Sequence, residues 1–156
     1  MSEQPTAEQR LYAISLWQPW ASLWLTDAKL HETRHWPTAR RGMIYVHAAK
    51  RPIRHSEVTG ELLRVCEDEF GGHFWTDLPF GAVIGIVDLV DCVPTHKVKH
   101  LLGHSDLFCG DFSEGRYAWR RGPSPTHIGP WPYKGKQGFF HVDDLDDVAN
   151  KVLGIA

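Results

Sequence analysis

Residues 81–93 read Gly-Ala-Val-Ile-Gly-Ile-Val-Asp-Leu-Val-Asp-Cys-Val, and no other stretch constrains the fold as strongly. β-Branched side chains lose rotamer freedom in a helix and pack well on a pleated surface, so this run predicts a long central strand, bent at Gly85. A strand of that kind needs neighbours. Residues 11–16 and 42–49 have the same character, and residues 116–120 and 138–142 predict two shorter strands. Helices are predicted between them. One opens at Gln18-Pro19 and runs through Leu25; one is capped by Ser56 and stops at Gly71-Gly72; a short one covers 98–102; and a last one covers 144–152, with Asp144, Asp146 and Asp147 in its first turn. Residues 29–36 alternate too weakly to assign, and the Pro- and Gly-rich residues 122–132 predict a rim loop. Strands interrupted by helices, with no regular βαβ alternation, predict an α+β fold built on a small β-barrel flanked by helices.

The chain has 156 residues, and a domain of that size buries roughly 68–70% of its unfolded surface, enough for an apolar core without a metal or disulfide staple. A single domain over residues 10–156 is expected, after a flexible N-terminal tail of residues 1–9. The longest apolar run is far too short for a membrane span, and the opening Met-Ser-Glu-Gln-Pro-Thr lacks the basic start and apolar stretch of a secretory signal, so a cytoplasmic protein with no membrane partner is expected. Cys66, Cys92 and Cys109 make an odd set without Cys-x-x-Cys spacing and are read as reduced thiols. His96, His100 and His104 recur every fourth residue, but no carboxylate or thiol at ligand spacing completes a site; they read as a solvated helix face, and no metal or cofactor is expected.

The formal net charge of −2 conceals a segregation. Residues 29–55 hold seven bases against one acid, Glu32, and residues 116–142 hold five bases and no acid. The remaining residues carry 5 of the 17 bases and 18 of the 19 acids, so the near-neutral total is a cancellation. Trp36, Tyr45, Tyr117, Trp119, Trp131 and Tyr133 stand among the bases. Cations for phosphates beside flat rings for bases is the composition of single-stranded nucleic-acid sites; outward bases and inward aromatics on barrel strands would give the same counts.

Four pieces in chain order match one family: Ser15-Leu16-Trp17-Gln18-Pro19-Trp20-Ala21-Ser22-Leu23, Lys29-Leu30-His31-Glu32-Thr33-Arg34, Arg41-Gly42, and residues 81–92 with their Val87-Asp88-Leu89 centre. The chain resembles the ASCH (activating signal cointegrator homology) domain of the PUA-like superfamily. The family pattern is Gly-x-Lys-x-x-Glu-x-Arg; Lys29, Glu32 and Arg34 match it, and Ala28 stands at the glycine position. The resemblance implies a β-barrel with helices around it and a cleft, proposed to hold RNA, into which the Lys-x-x-Glu-x-Arg segment projects. It also implies two enzymatic alternatives, since some members remove the acetyl group from N4-acetylcytidine with a lysine, a threonine and a glutamate, and others are reported as ribonucleases. Three residues after the lysine the deacetylating members carry threonine, whereas this chain carries Glu32, a poor substitute for a hydroxyl nucleophile.

On an extended segment residues 29, 31 and 33 face one way and 30, 32 and 34 the other, so Lys29 and Glu32 meet only if the chain bends after Lys29. Bent so, Lys29 offers a cation or a desolvated base, Glu32 orients it or accepts a proton, and Arg34 forks onto a phosphate. A buried Lys-Glu-Arg network that pins the strand is the alternative. Trp17 and Gln18 lie where a base would stack and be read on its edge. Arg40, Arg41 and Lys50, with Lys134 and Lys136 around Gly135, complete the expected nucleic-acid-binding set. The leading expectation is an RNA-binding domain, with other single-stranded nucleic acid or a modified nucleoside as further ligands. A hydrolase acting on such ligands, with Lys29 and Glu32 as catalytic pair, is the alternative. A module binding protein partners in transcription or translation is the third.

Overall fold

The computed structural model describes residues 11–142 and Leu145. Among these residues seven strands form one sheet: β1 (Tyr12–Leu16), β2 (His31–Arg34), β3 (Gly42–Ala48), β4 (Ala82–Pro94), β5 (Tyr117–Arg121), β6 (Thr126–Pro132) and β7 (Phe139–His141). Four helices accompany it, α1 (Trp20–Leu23), α2 (Gly60–Phe70), α3 (Phe74–Asp77) and α4 (His104–Phe108). β4, the strand the β-branched run predicts, is the spine. On one side β3 runs antiparallel along residues 82–89; on the other β6 pairs the first half of β4 and β5 the second. β1 lies parallel to β3, β7 antiparallel to β1, and β2 covers the outer side of β5.

The sheet is not closed: among the described residues no ladder joins the end strands β2 and β7, so the expected barrel is instead an open sheet. Its ends meet through side chains. Phe139 of β7 stacks on Trp119 of β5 with ring centroids 5.5 Å apart, and Trp36, just after β2, stands perpendicular to both rings. Aromatic rings thus occupy the seam that hydrogen bonds would fill in a barrel.

Two apolar clusters show how the alternation of the strands is used. Ile14, Leu16, Ile44 and Val46 join Trp24 and Trp119 in one cluster, while Ala13 and Tyr45, one residue out of phase, join Val83, Ile86 and Phe140 in the other. On β4 the phase switches between Ile84 and Val87, because Val46 opposes Gly85 but the next residue, His47, opposes Val83, leaving Ile84 as an extra residue. Such a bulge twists the ladder and re-aims nearby side chains. It lies beside His47. A third cluster, under the helices, gathers Leu23, Val58, Cys66, Phe74 and Cys109. Burial pushes the Cys66 thiol up to about 12 and that of Cys109 to about 11, so neither is a thiolate near neutral pH.

Several predicted elements change. α1 ends at Leu23, and the unassigned residues 29–36 contain β2. Ser56 does not cap α2; it sits in a 3-10 turn over His55–Glu57, where Glu57 pairs with Arg51 and Arg54, and the helix starts after Thr59. The short helix expected at 98–102 is replaced by 3-10 turns over Thr95–Lys97 and Lys99–Leu101, with α4 following. The rim loop at 122–132 contains β6, whose prolines are tolerated because this strand pairs with β4 alone. The expected tail of residues 1–9 and helix over 144–152 lie outside the described residues. No helix among those described is long and apolar enough to cross a membrane.

Candidate functional site

The carboxyl ends of the parallel strands β1 and β3 open into a cleft of about 1780 Å³. Its walls come from distant parts of the chain: β2, the start of α1, the link between α4 and β5, and the loop of residues 133–138 between β6 and β7. Arg34 and Lys50 from the first basic window line it, as do Arg116, Lys134 and Lys136 from the second. Three carboxylates line it too, but each already faces a cation: Glu32 faces Lys29, Glu57 faces Arg51 and Asp111 faces Arg116. Lys50, Lys134 and Lys136 are exposed, so the cleft is left with excess positive charge.

Behind one wall lies the bent motif. The strand begins only at His31, and Lys29 Nζ reaches Glu32 Oε1 at 3.3 Å and donates to the Cys109 carbonyl at 2.6 Å. Asp106 holds the bend: its Oδ1 accepts the Leu30 and His31 amides, and its Oδ2 lies 2.8 Å from His31 Nδ1. Burial works to raise the Asp106 pKa, but the bonds and charge of His31, with Lys29, outweigh it and hold the carboxyl below its ordinary value. Lys29 is fully buried and has no face on the cleft, whereas Glu32 and Arg34 border it. Arg34 lies 4.0 Å from Glu32, with its guanidinium 5.3 Å from the centre of the Trp36 ring. Burial lowers the Arg34 pKa, Glu32 opposes that and Arg116 adds to it; a guanidinium stays charged through such changes.

The ends of β1 and β3 carry a contact that the sequence reading does not single out. Ser15 and His47 are register partners on β1 and β3, and Ser15 Oγ lies 2.9 Å from His47 Nδ1. His47 Nε2 lies 2.7 Å from the Tyr133 carbonyl, which can only accept, so Nε2 carries the proton and Nδ1 the lone pair. Burial lowers the pKa of the ring, although the Tyr133 bond works the other way, and the imidazole is neutral near pH 7. Gly135 closes over the pair: a Cβ there would stand 2.7 Å from His47 Cε1 and 3.1 Å from Ser15 Oγ.

The remaining expected residues divide. Trp17 is 52% exposed at the rim, with the Arg51 guanidinium 3.6 Å from its ring centre. Gln18 is buried, and its amide is consumed internally by Ser22 and the Pro79 carbonyl, so it presents no edge to a base. Arg40 and Arg41 do not line the cleft. Arg40 covers Tyr12 and Phe139, and Arg41 bonds the Thr38 and Arg40 carbonyls. Arg116 and Arg51 belong to the site although sequence reasoning only counted them within windows. Among the described residues no group of three His, Cys, Asp or Glu side chains gathers as a metal site.

No family model matches the chain. Over 93 residues, 56% of its length, it is 37% identical to activating signal cointegrator 1 of Homo sapiens, and over 87 residues it is 38% identical to the Mus musculus protein of that name. This likeness, together with the likeness of fold below, supports the resemblance to the ASCH domain. The matched stretches make up 15% and 14% of those relatives, so the likeness concerns this domain and not their whole length. A similar fold is seen in two crystal structures of ZmASCH from Zymomonas mobilis, a Tyr-to-Phe and a Ser-to-Ala variant. Both are 14% identical to the chain, with TM-scores of 0.52 and 0.53, covering 94% and 93% of this chain and 98% and 96% of theirs. The Lys-x-x-Glu-x-Arg segment that carries the resemblance therefore spans two environments, with Lys29 in the interior and Arg34 at the cleft.

Proposed function

We propose that this ASCH domain binds single-stranded nucleic acid, RNA in preference to DNA, in the cleft. One observation carries the reading: cations from two stretches more than sixty residues apart, Arg34 and Lys50 with Arg116, Lys134 and Lys136, line one concavity that also presents the exposed face of Trp17. Phosphates would lie along the lysines and a base would stack at Trp17, where Arg51 backs the ring. The preference for RNA rests on the family. The name of the mammalian relatives, signal cointegrators, accords with partners near transcription.

Fluorescence anisotropy with one short oligonucleotide in RNA and DNA form tests the proposal. Binding should weaken linearly in log salt, with a slope of about −0.7 for each phosphate neutralised. Trp17→Ala should cost about 1–3 kcal/mol, the worth of one stacked base. Affinity indifferent to salt would overturn the reading. A second reading, hydrolysis of RNA or a modified nucleoside, draws on Glu32 at the cleft wall with Lys29 behind it. Turnover lost in Lys29→Ala, in protein whose fold is verified, would favour it.

A further inference from the structure

We infer that Ser15 and His47 form a nucleophile–base pair for acyl transfer, and that the substrate is a carboxylic ester carrying a phosphate group. The hydroxyl lies 2.9 Å from the unprotonated Nδ1, within the reach such pairs need, and the Tyr133 carbonyl fixes the ring as a third group does in hydrolytic triads. Ser15 and His47 both line the cleft, and Ser15 is the more exposed of the two, so its oxygen can meet a substrate with the buried imidazole beside it. The bulge in β4 opposite Val46 and His47, and the bare Cα of Gly135, leave the ring this position.

The surroundings select the substrate. A carbonyl stabilises an imidazolium less than a carboxylate does, which makes His47 a modest base. Modest bases suffice for esters, whose alkoxide leaves readily, and not for amides, whose nitrogen must be protonated first. Lys134 and Lys136 flank the glycine that touches the pair, and Lys50 lines the same cleft, so an anionic group beside the acyl carbon would be held. The anionic half of the assignment rests on the cationic-cleft reading above; the dyad does not.

In the reaction Ser15 Oγ attacks the carbonyl carbon and its proton passes to His47 Nδ1. The ester C–O bond breaks, and the proton moves from His47 to the departing alkoxide. Water then attacks the acyl-serine, gives its proton to His47, and Ser15 regains it as the carboxylic acid leaves. Ester and water yield acid and alcohol, with no further reactant.

The test has two arms. A fluorophosphonate probe with the wild-type chain, followed by peptide mass mapping, should place one adduct on Ser15, absent in Ser15→Ala and at least tenfold slower to form in His47→Gln. Because the wild-type adduct reads the site directly, a variant that fails to fold does not obscure the result. An adduct on another residue, or on none, overturns the dyad. In the second arm the acetyl esters of glycerol 3-phosphate and of glycerol are compared. At least tenfold higher kcat/KM for the phosphate-bearing ester, lost in Lys134→Glu/Lys136→Glu, is expected. Labelling of Ser15 without that preference overturns the substrate class alone, and failure of oligonucleotide binding with Ser15 still labelled overturns the nucleic-acid reading alone.

Discussion

Lys29 illustrates how a single side chain can be indispensable without facing a ligand. Its ammonium is fully buried and is held by the Cys109 carbonyl and by Glu32, whose Oε1 also accepts the Thr33 amide. Removing one partner of a buried pair strands the other, so Lys29→Met should destabilise the fold by about 3–5 kcal/mol, and Lys29→Met/Glu32→Gln by clearly less. Urea unfolding of both variants measures this; equal losses would show that the two side chains are not coupled. Titration acts at the same scale. His47 and Asp106 both have folded-state pKa values below their ordinary ones, so the unfolded chain binds more protons and stability rises with pH through each window. The His47 contribution is complete above the unfolded value of about 6.5 and is lost as pH falls through its lower folded value; the Asp106 contribution is complete above about 3.9 and is lost below that in the same way. The midpoint of thermal unfolding should therefore fall in two stages on acidification, and in His47→Gln the upper stage should vanish. A single stage in the wild type would contradict this.

Among the strands, β6 depends most on one residue. Gly129 has φ +67°, and a Cβ there would lie 2.4 Å from the Trp131 amide nitrogen and 2.7 Å from the Val83 carbonyl, both backbone atoms of β6 and β4 that cannot swing aside. Gly71, which ends α2 with φ +83°, has nothing within 4 Å of that position. Conformational strain alone should make Gly71→Ala cost about 1–2 kcal/mol, and added overpacking should raise Gly129→Ala to about 2–5 kcal/mol. Unfolding curves that rank the two the other way would mean that β6 peels from β4 to relieve the clash. β6 is also where sequence reading stopped. β1, β3 and β4 are legible because side-chain alternation and β-branching are local properties, whereas β6 holds Gly129, Pro130 and Pro132 and becomes a strand only through its neighbour. α4 is similar, placed by the bonds of Asp106 to Leu30 and His31, seventy-odd residues away. At the site, the bend at Lys29 follows from strand parity, but the Ser15–His47 contact requires knowing that β1 and β3 run parallel in one particular register. Nothing between residues 15 and 47 announces that register.

Across the whole molecule, the net charge of −2 says little about what the surface attracts, because attraction depends on where the charges are gathered. The first basic window does not act as a unit once folded. Arg34 and Lys50 enter the cleft with Arg116, Lys134 and Lys136, while Arg40 lies over Tyr12 and Phe139, with its guanidinium 4.0 Å from the Tyr12 ring centre, and Arg41 bonds the Thr38 and Arg40 carbonyls. Counting bases along the sequence cannot separate these groups; counterion release can, because only cations that meet phosphates release ions on binding. Lys134→Glu/Lys136→Glu should flatten the salt dependence of oligonucleotide affinity by about 1.4 in slope, or 0.7 for each lost contact. Arg40→Glu/Arg41→Glu should leave that slope unchanged while lowering stability by about 0.5–1 kcal/mol through the lost cation–π contact. If the arginine pair flattened the slope as much as the lysine pair, the nucleic acid would have to run across the Tyr12 and Phe139 side of the sheet, and the cleft would lose its claim to be where phosphates are held.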